Sequence, residues 1–519
     1  MPGFEAERPT FADILSLHAR WRGDKPALIV GDEVLSWAAF DAATNKVAHG
    51  LARLGLGPGD RIAVVMRNGR AMVEVLFGIM KAGGCSVPLN LSISDDALCA
   101  MLADCGSAAL FASDDQAARI DAMAGRLPAT LHGKRFVADA KRNGWQSYEA
   151  WTAGAPASLP AVAIDPNAAC NVIYSSGTTG RPKGIVHSHR GRLEWAYDCA
   201  LAFRYDDDAR SLCTIGLYSN IMWLAMLCTL LVGGTLVVHD RFDAVRVLDD
   251  IARLRISHIA MVPLQFQRLA DAGATRCGLA SLRSAITVGS KMHGDIKRRM
   301  LALLPDALFE LYGLTEGIIT MQSPREGQLY PDSVGRPILG CDIVIIGEND
   351  KPVARGEAGE IVSRARYVMS GYLNRPEETA AARWRDPAGR IWLRTGDIGR
   401  LDAHMNLYII DRRKDMILSG GQNIYPQDIE QVLLTHEAVR DAAVIGVASR
   451  HWGETPLALV VIDPAHAITA AQLKDWCNAR VGKQQRVADV IVRDALPRNA
   501  NGKLLKHELR QAYAKLVYD

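Results

Sequence analysis

Residues 169–184, ACNVIYSSGTTGRPKG, open on an apolar extended run and end in a loop of Ser, Thr and Gly that carries one lysine. A strand that delivers such a loop at its end belongs to an α/β plan, in which ligands gather where strand ends meet loops. Glycines let the backbone come close to a ligand and turn its N–H groups toward an anion. Ser175, Ser176, Thr178 and Thr179 add hydroxyl donors, and Lys183 adds a point charge suited to phosphate. The loop reads as a phosphate cradle. It is not a Walker A loop, which needs G-x-x-x-x-G-K-[ST], because Gly180 is followed here by Arg-Pro-Lys-Gly.

Outward from the loop the same plan repeats. RIAVVM (61–66), ISHIAMVP (256–263), SAITVG (284–289) and LFELYG (308–313) are apolar runs closed by turn residues. AMVEVLFGIMKAGG (71–84) and DIKRRMLALLP (295–305) are helical stretches set among such runs. This alternation argues for parallel sheets covered by helices. The stretch 211–238 has no charged residue and is long enough to raise a membrane helix. Ser219-Asn220 and Gly233-Gly234 interrupt it, so a buried helix followed by a strand is expected. Past Asp411 a charge cluster and a glycine pair lead to a helix with Pro426 in its first turn. We therefore expect an α/β fold with a large, multi-subdomain N-terminal domain over 1–411, its parallel-type sheets covered by helices. A small α+β C-terminal domain should follow over 412–519.

The totals narrow the partner. A chain of 519 residues exceeds one ordinary core, and its 49% hydrophobic and 23% charged residues match a soluble globular protein. A net charge of +3 without any Arg/Lys block argues for a small-molecule partner and against nucleic acid. The start lacks the basic-then-apolar pattern of a secretory signal, and the ten Cys show no C-x-x-C pair. Reduced thiols in the cytoplasm are expected.

Further stretches give the loop its context. KAGGCSVPLN (81–90), ELYGLTEG (310–317), RTGDIG (394–399), DRRKDMILSGGQNIYPQDIE (411–430) and LPRNANGKLLK (496–506) stand in order along the chain. Together with the loop they resemble the motifs of the adenylate-forming superfamily, which includes acyl-CoA synthetases, luciferases and peptide-synthetase adenylation domains. The resemblance implies ATP, Mg²⁺ and coenzyme A as reactants, and an acid–CoA ligase reaction in two steps. The acid is first joined to AMP with loss of pyrophosphate, and a thiol then displaces AMP.

What the resemblance implies for single residues follows from those motifs. Ser175, Ser176, Gly177, Thr178, Thr179, Gly180 and Lys183 would bind the nucleotide, with the loop from Thr178 to Lys183 on its β- and γ-phosphates. Gly289 and Ser290 would edge the adenine and acyl sites, Glu310, Leu311, Tyr312 and Gly313 would line the nucleotide, and Tyr312 would stack on adenine. Thr315 would touch the α-phosphate, and Glu316 with Thr179 would hold Mg²⁺. Asp397 and Arg412 would bind the ribose. Lys503 is expected as the catalytic residue beside Thr315 and Glu316, Lys414 as the hinge of a swinging C-terminal domain, and Gly420 and Gly421 as the wall of the CoA tunnel. Gln422 stands where the family often has Glu.

The acid side is less determined. GLYSN (216–220) puts Ser219 where relatives often have a His or aromatic gate, and Tyr218, Ser219 and Trp223 are expected at the acyl pocket. VGSKMHG (288–294) replaces a more usual turn, and Lys291 reads either as a surface charge or as a partner for an acidic substrate group. The Met- and Leu-rich run 220–231 reads as core or as an acyl channel. On that run a fatty or other hydrophobic acid is favoured, with an aryl acid as the alternative. A ligase that loads a separate carrier protein and a phosphate-binding NTPase of another class are the other readings, and a homodimer is left open. VHSH (186–189) lacks a third ligand and is expected to hydrogen-bond instead of holding a metal.

Overall fold

The computed structural model describes residues 9–175, 182–292, 294–419, 422–498 and 504–519. Within them the strands form four sheets. The first runs, edge to edge, through Arg336–Pro337, Ile318–Gln322, Leu308–Leu314, Ser284–Val288, His258–Met261, Arg210–Cys213, Thr235–Val238, Pro26–Val30 and Glu33–Ser36. Its central strands, from Leu308–Leu314 to Pro26–Val30, are parallel, and its edges are antiparallel. The second sheet contains Lys183–Ser188, Ala169–Ser175, Cys85–Pro88, Arg61–Val65 and Ala109–Ser113, with the last four parallel. The expected α/β architecture is present in both.

The uncharged stretch resolves as expected. Arg210–Cys213 is a strand, Asn220–Leu231 a helix and Thr235–Val238 a second strand. That helix is buried from Met222 to Leu231, which explains why it has no polar face. Gly233 makes the turn between them at φ +77°, a left-handed conformation that disfavours side chains. Among the described residues no helix is long and apolar enough to cross a membrane.

A third, antiparallel sheet was not legible in the helix–strand alternation. It pairs Cys341–Ile346, Gly359–Ala365, Ile391–Leu401 and Arg383–Arg385, and Leu407–Arg412 adds to Ile391–Leu401. The fourth sheet begins at Ile417–Ser419 and contains Val439–Ser449, Gly453–Ile462 and Asp489–Val492 under the helices Pro426–Leu434 and Ala470–Asn478. The chain thus passes from the third sheet to the fourth between Arg412 and Ile417.

Buried histidines make the fold sensitive to acid. His187 and His189, the VHSH pair, are both buried, and no metal-binding group of three residues occurs among the described residues. His258 is buried against Tyr205, with ring centroids 3.9 Å apart, and its Nδ1 lies 2.7 Å from Ser257 Oγ. Burial lowers His189 and His258 from the ordinary 6.5 to about 4, and lowers His187 well below it. These rings stay neutral when folded but protonate in the unfolded chain below pH 6.5. Their contribution is complete above that pH and is lost as the pH falls toward 4. Lowering the pH from 7.5 to 5.5 should therefore cost about 1 kcal/mol for each of His189 and His258. Urea midpoints at the two pH values measure this, and His258→Asn should remove its share of the difference.

Candidate active site

The loop that opened the reading has a fixed base. Ser175 pairs with Lys183 across the hairpin formed by Ala169–Ser175 and Lys183–Ser188. The Tyr174 hydroxyl donates to Asp104 Oδ2 at 2.7 Å and anchors the strand end. Ser176, Gly177, Thr178, Thr179 and Gly180 lie outside the described residues.

Lys183 is at the centre of a charged group. Its ammonium pairs with Glu378 and lies 5.2 Å over the ring of Tyr372. The Tyr372 hydroxyl donates to Glu316 Oε1 at 3.0 Å, which ties the loop's cation to the carboxylate expected at the metal. Tyr372 and Glu378 were missed by sequence reasoning. The signal that locates them is long-range, since the short strand Gly371–Tyr372 pairs with Lys183–Ser188 from nearly two hundred residues away in the chain.

The nucleotide side is built on Leu308–Leu314 and Ile391–Leu401. The Tyr312 hydroxyl donates to Asp397 Oδ2 at 2.7 Å. Arg412, register partner of Asp397, brings Nε to 3.0 Å from Asp397 Oδ1. That contact is an ion pair without hydrogen-bond alignment, so Oδ1 is a buried acceptor with no hydrogen-bond partner. Burial lifts the Tyr312 hydroxyl well above its ordinary value, and the Asp397 charge adds to this. Against the downward pull of burial, Asp397 keeps Arg412 raised. A buried carboxylate oxygen held open beside an aromatic ring suits a sugar hydroxyl.

Other expected nucleotide contacts divide. Glu310 is buried in an ion pair with Lys297 Nζ at 2.6 Å, and Leu311 is in the core, so neither side chain is directed to a ligand. Burial pushes the Glu310 carboxyl up. Gly289, at φ +95°, and Ser290 are exposed at the end of Ser284–Val288, and Gly313 lies in the strand that carries Tyr312. Lys291 pairs with Asp332 at 3.1 Å, which favours its reading as a surface charge.

Thr315 and Glu316 occupy the turn between Leu308–Leu314 and Ile318–Gln322. Gly317 closes that turn at φ +125°, where an added Cβ would lie 2.6 Å from Val368 Cα. Thr315 borders a narrow cleft whose other walls include Arg192, Trp195, Asn220, Gly317 and Tyr367. Ser219 is buried and caps the Asn220–Leu231 helix, accepting from the Ile221 N–H at 3.4 Å. Trp223 is fully buried beneath Arg192, 5.3 Å from guanidinium to ring. Tyr218 is partly buried and covers Gly216, and burial raises its hydroxyl.

Lys414 lies in the passage from the third sheet to the fourth. Its neighbours are held by different bodies. The Arg413 N–H donates to Gly396 O at 2.9 Å, and its guanidinium lies 3.0 Å from Glu360. Asp415 instead pairs with Arg510 of the C-terminal helix Lys506–Ala512. Burial lowers the Lys414 ammonium. Gly420, Gly421 and Lys503 lie outside the described residues.

Comparison with known proteins gives this geometry its relatives. Residues 15–373 match the model of the AMP-binding enzyme family, and 428–503 match the AMP-binding enzyme C-terminal domain. The chain is similar to a feruloyl-CoA synthase from Amycolatopsis sp, with 34% identity over 95% of this chain and 97% of that protein. It is also 32% identical to the long-chain-fatty-acid–CoA ligase FadD13 of Mycobacterium tuberculosis, over 94% of each chain. Among solved structures, ATP-bound MatB from Rhodopseudomonas palustris superposes with a TM-score of 0.88 at 26% identity, covering 97% of this chain and 99% of that one.

Proposed function

The chain belongs to the AMP-binding enzyme family, and from that premise we propose an ATP-dependent, AMP-forming acid–CoA ligase whose acid is compact. The observation that carries this reading is the segment 312–316. Tyr312 reaches Asp397, Glu316 meets the Lys183–Tyr372 group, and Thr315 borders the cleft. Sugar, phosphate and acid recognition would then meet within five residues. The alternative of a phosphate-binding NTPase from another class does not survive the family match.

A carboxylate is a poor electrophile because its charge repels nucleophiles and its oxygen does not leave. In the proposed course it attacks the α-phosphate of ATP, pyrophosphate departs, and the thiol of CoA then displaces AMP from the acyl-adenylate. Such a step depends mainly on electrostatic stabilisation of phosphoryl charge. Lys183, held in place by Glu378, would face the phosphates at the base of the loop. Thr315 would donate to an α-phosphate oxygen, and Asp397 Oδ1 would accept from a ribose hydroxyl. Glu316, with Thr179, would hold Mg²⁺, which neutralises phosphate charge when bound. One or two carboxylates together with phosphate oxygens suffice for that ion, so the lack of a larger acidic cluster among the described residues fits it.

The acid's size is argued from the pocket. The run 220–231 that suggested a fatty acid is packed into the main core, and the cleft beside Thr315 is short and edged by Arg192, Trp195 and Tyr367. That cleft has about 10 Å³ of free room, space for about one water, which speaks against a long chain lodged there and does not choose among compact acids. The unpaired state of all ten Cys supports a cytoplasmic setting, where CoA is present as a thiol.

The test is a panel of carboxylic acids, graded in chain length and ring content, in acid-dependent exchange of labelled pyrophosphate into ATP. Exchange with compact acids, and AMP release accelerated by CoA, is expected. No exchange with any acid refutes the ligase reading, and AMP release indifferent to CoA would point to a carrier protein as acceptor. Gly421→Trp should block thioester formation by 100-fold or so, if catalysis there tolerates misplacement no better than elsewhere, while pyrophosphate exchange persists. Loss of exchange would place Gly421 outside the CoA path.

A further inference from the structure

Among the described residues, one cation in the cleft has no counter-charge. Arg192, on the helix His189–Ala202, is 2% exposed. Its Nε donates to Asn171 Oδ1 and its Nη1 to Asn220 Oδ1, both at 2.9 Å. Nη2 is buried and has no hydrogen-bond partner. The guanidinium lies 4.9 Å from the ring of Trp195 and 5.3 Å from that of Trp223. Among the described residues no carboxylate pairs with it. The nearby Cys170 and Cys199 are neutral, since burial raises both thiols, the first to about 12.

A buried charge without a partner is costly, and arginine is the side chain least able to escape by deprotonation. Burial lowers Arg192 only to about 9, which leaves it cationic at neutral pH. The asparagines fix its plane without neutralising it, and the two indoles hold it from the sides. Fixing a planar fork in this way prepares it for a planar anion. His187 Nε2, buried and without a hydrogen-bond partner among the described residues, belongs to a residue that borders the same cleft.

Resting on the ligase reading above, we propose that Arg192 determines substrate choice by pairing, through Nη2, with a second carboxylate on the acid. The substrate is then a compact dicarboxylic acid. One carboxylate reacts at the phosphate beside Thr315 and the other ends on Arg192, which requires the cleft, with about 10 Å³ of free room, to widen around the acid. No covalent step involves Arg192. It is a specificity residue, and its contribution falls on acids that bring the counter-charge with them.

The test compares diacids of short aliphatic and aryl spacing with their half-amides, which keep size and one reacting carboxylate. The readout is kcat/KM in pyrophosphate exchange. The wild-type protein should prefer the diacid by about 100-fold, the scale of a buried, hydrogen-bonded charge pair. Arg192→Gln should reduce that preference to within a few-fold of unity, mainly through KM for the diacid, while calorimetry shows ATP still bound. If the wild type exchanges half-amides or plain monoacids as well as diacids, the inference is overturned and the ligase reading stands. If Arg192→Gln loses all acids equally with ATP binding intact, Arg192 serves the reacting carboxylate and the inference is likewise overturned. If no acid of any class supports exchange, the ligase reading fails first and this inference fails with it. Should the variant not fold, thermal stabilisation of the wild type decides, with diacids expected to raise the melting temperature at concentrations where half-amides have no effect. Equal stabilisation by both would overturn the proposal.

Discussion

Lys503→Ala should lower acid-dependent pyrophosphate exchange by about 100- to 1,000-fold, the loss seen when one preorganised charge-stabilising group is removed from a transition state. Thioester formation from supplied acyl-adenylate should stay within about threefold of wild type. The motif 496–506 carries two lysines, of which Lys506 is among the described residues. Lys506 is half-buried in an ion pair with Glu430 at 2.7 Å, and Glu430 also accepts from the Val444 N–H at 2.7 Å. That lysine has a structural role in the C-terminal domain. Lys503 lies outside the described residues. The residues on either side of its short segment are tied, Arg498 bridging Leu504 and the Leu505 N–H donating to Pro497 O at 2.8 Å. The resemblance assigns Lys503 to adenylate formation, in one of the two orientations expected of the C-terminal domain. Such staged assembly is the usual use of domain closure. Equal loss in both half-reactions would refute this, because the lysine would then act in chemistry common to both.

The contrast between Lys503 and Lys506 also shows what a sequence can and cannot reveal. The parallel strands and the buried helix 220–231 were legible because their signals are local: apolar runs closed by turns, and Ser219 and Gly233 as punctuation. Tyr372 and Glu378 were not, because their relation to Lys183 exists only through strand pairing across the second sheet. Arg192 was hidden for a similar reason. It occurs in HRGRLEW (189–195), where a charge on a helix reads as solvated. Only the meeting of Trp195, Trp223 and Asn220 around it shows that the helix turns this residue inward. In the same way Glu310 looked like a nucleotide contact by its motif, yet Lys297, thirteen residues earlier, engages its carboxylate.

Asp397→Ala should raise KM for ATP and lower kcat/KM in exchange by roughly 100-fold or more, and unlike Lys503→Ala it should impair both half-reactions. Two losses combine. The buried acceptor Oδ1, which has no hydrogen-bond partner in the structure, would no longer be available to a ribose hydroxyl. A hydrogen bond to a charged group contributes about 1.5–3 kcal/mol. Arg412, whose side chain is part-exposed, would also lose its counter-ion, a loss that falls mainly on stability. Asp397→Asn separates these losses, since it can still accept from Tyr312 but removes the charge. Tyr312→Phe deletes only the 2.7 Å hydrogen bond to Oδ2 and should cost about tenfold or less. The order Ala worse than Asn, and Asn worse than Tyr312→Phe, is the expected ranking, with thermal melts separating weakened ATP binding from weakened folding. The nucleotide's AMP portion stays bound from the first step to the second, so a defect at its ribose must appear in both. If Asp397→Ala folds normally and changes KM for ATP by less than threefold, the ribose site lies elsewhere, and Tyr312, Asp397 and Arg412 serve only to join the first sheet to the third.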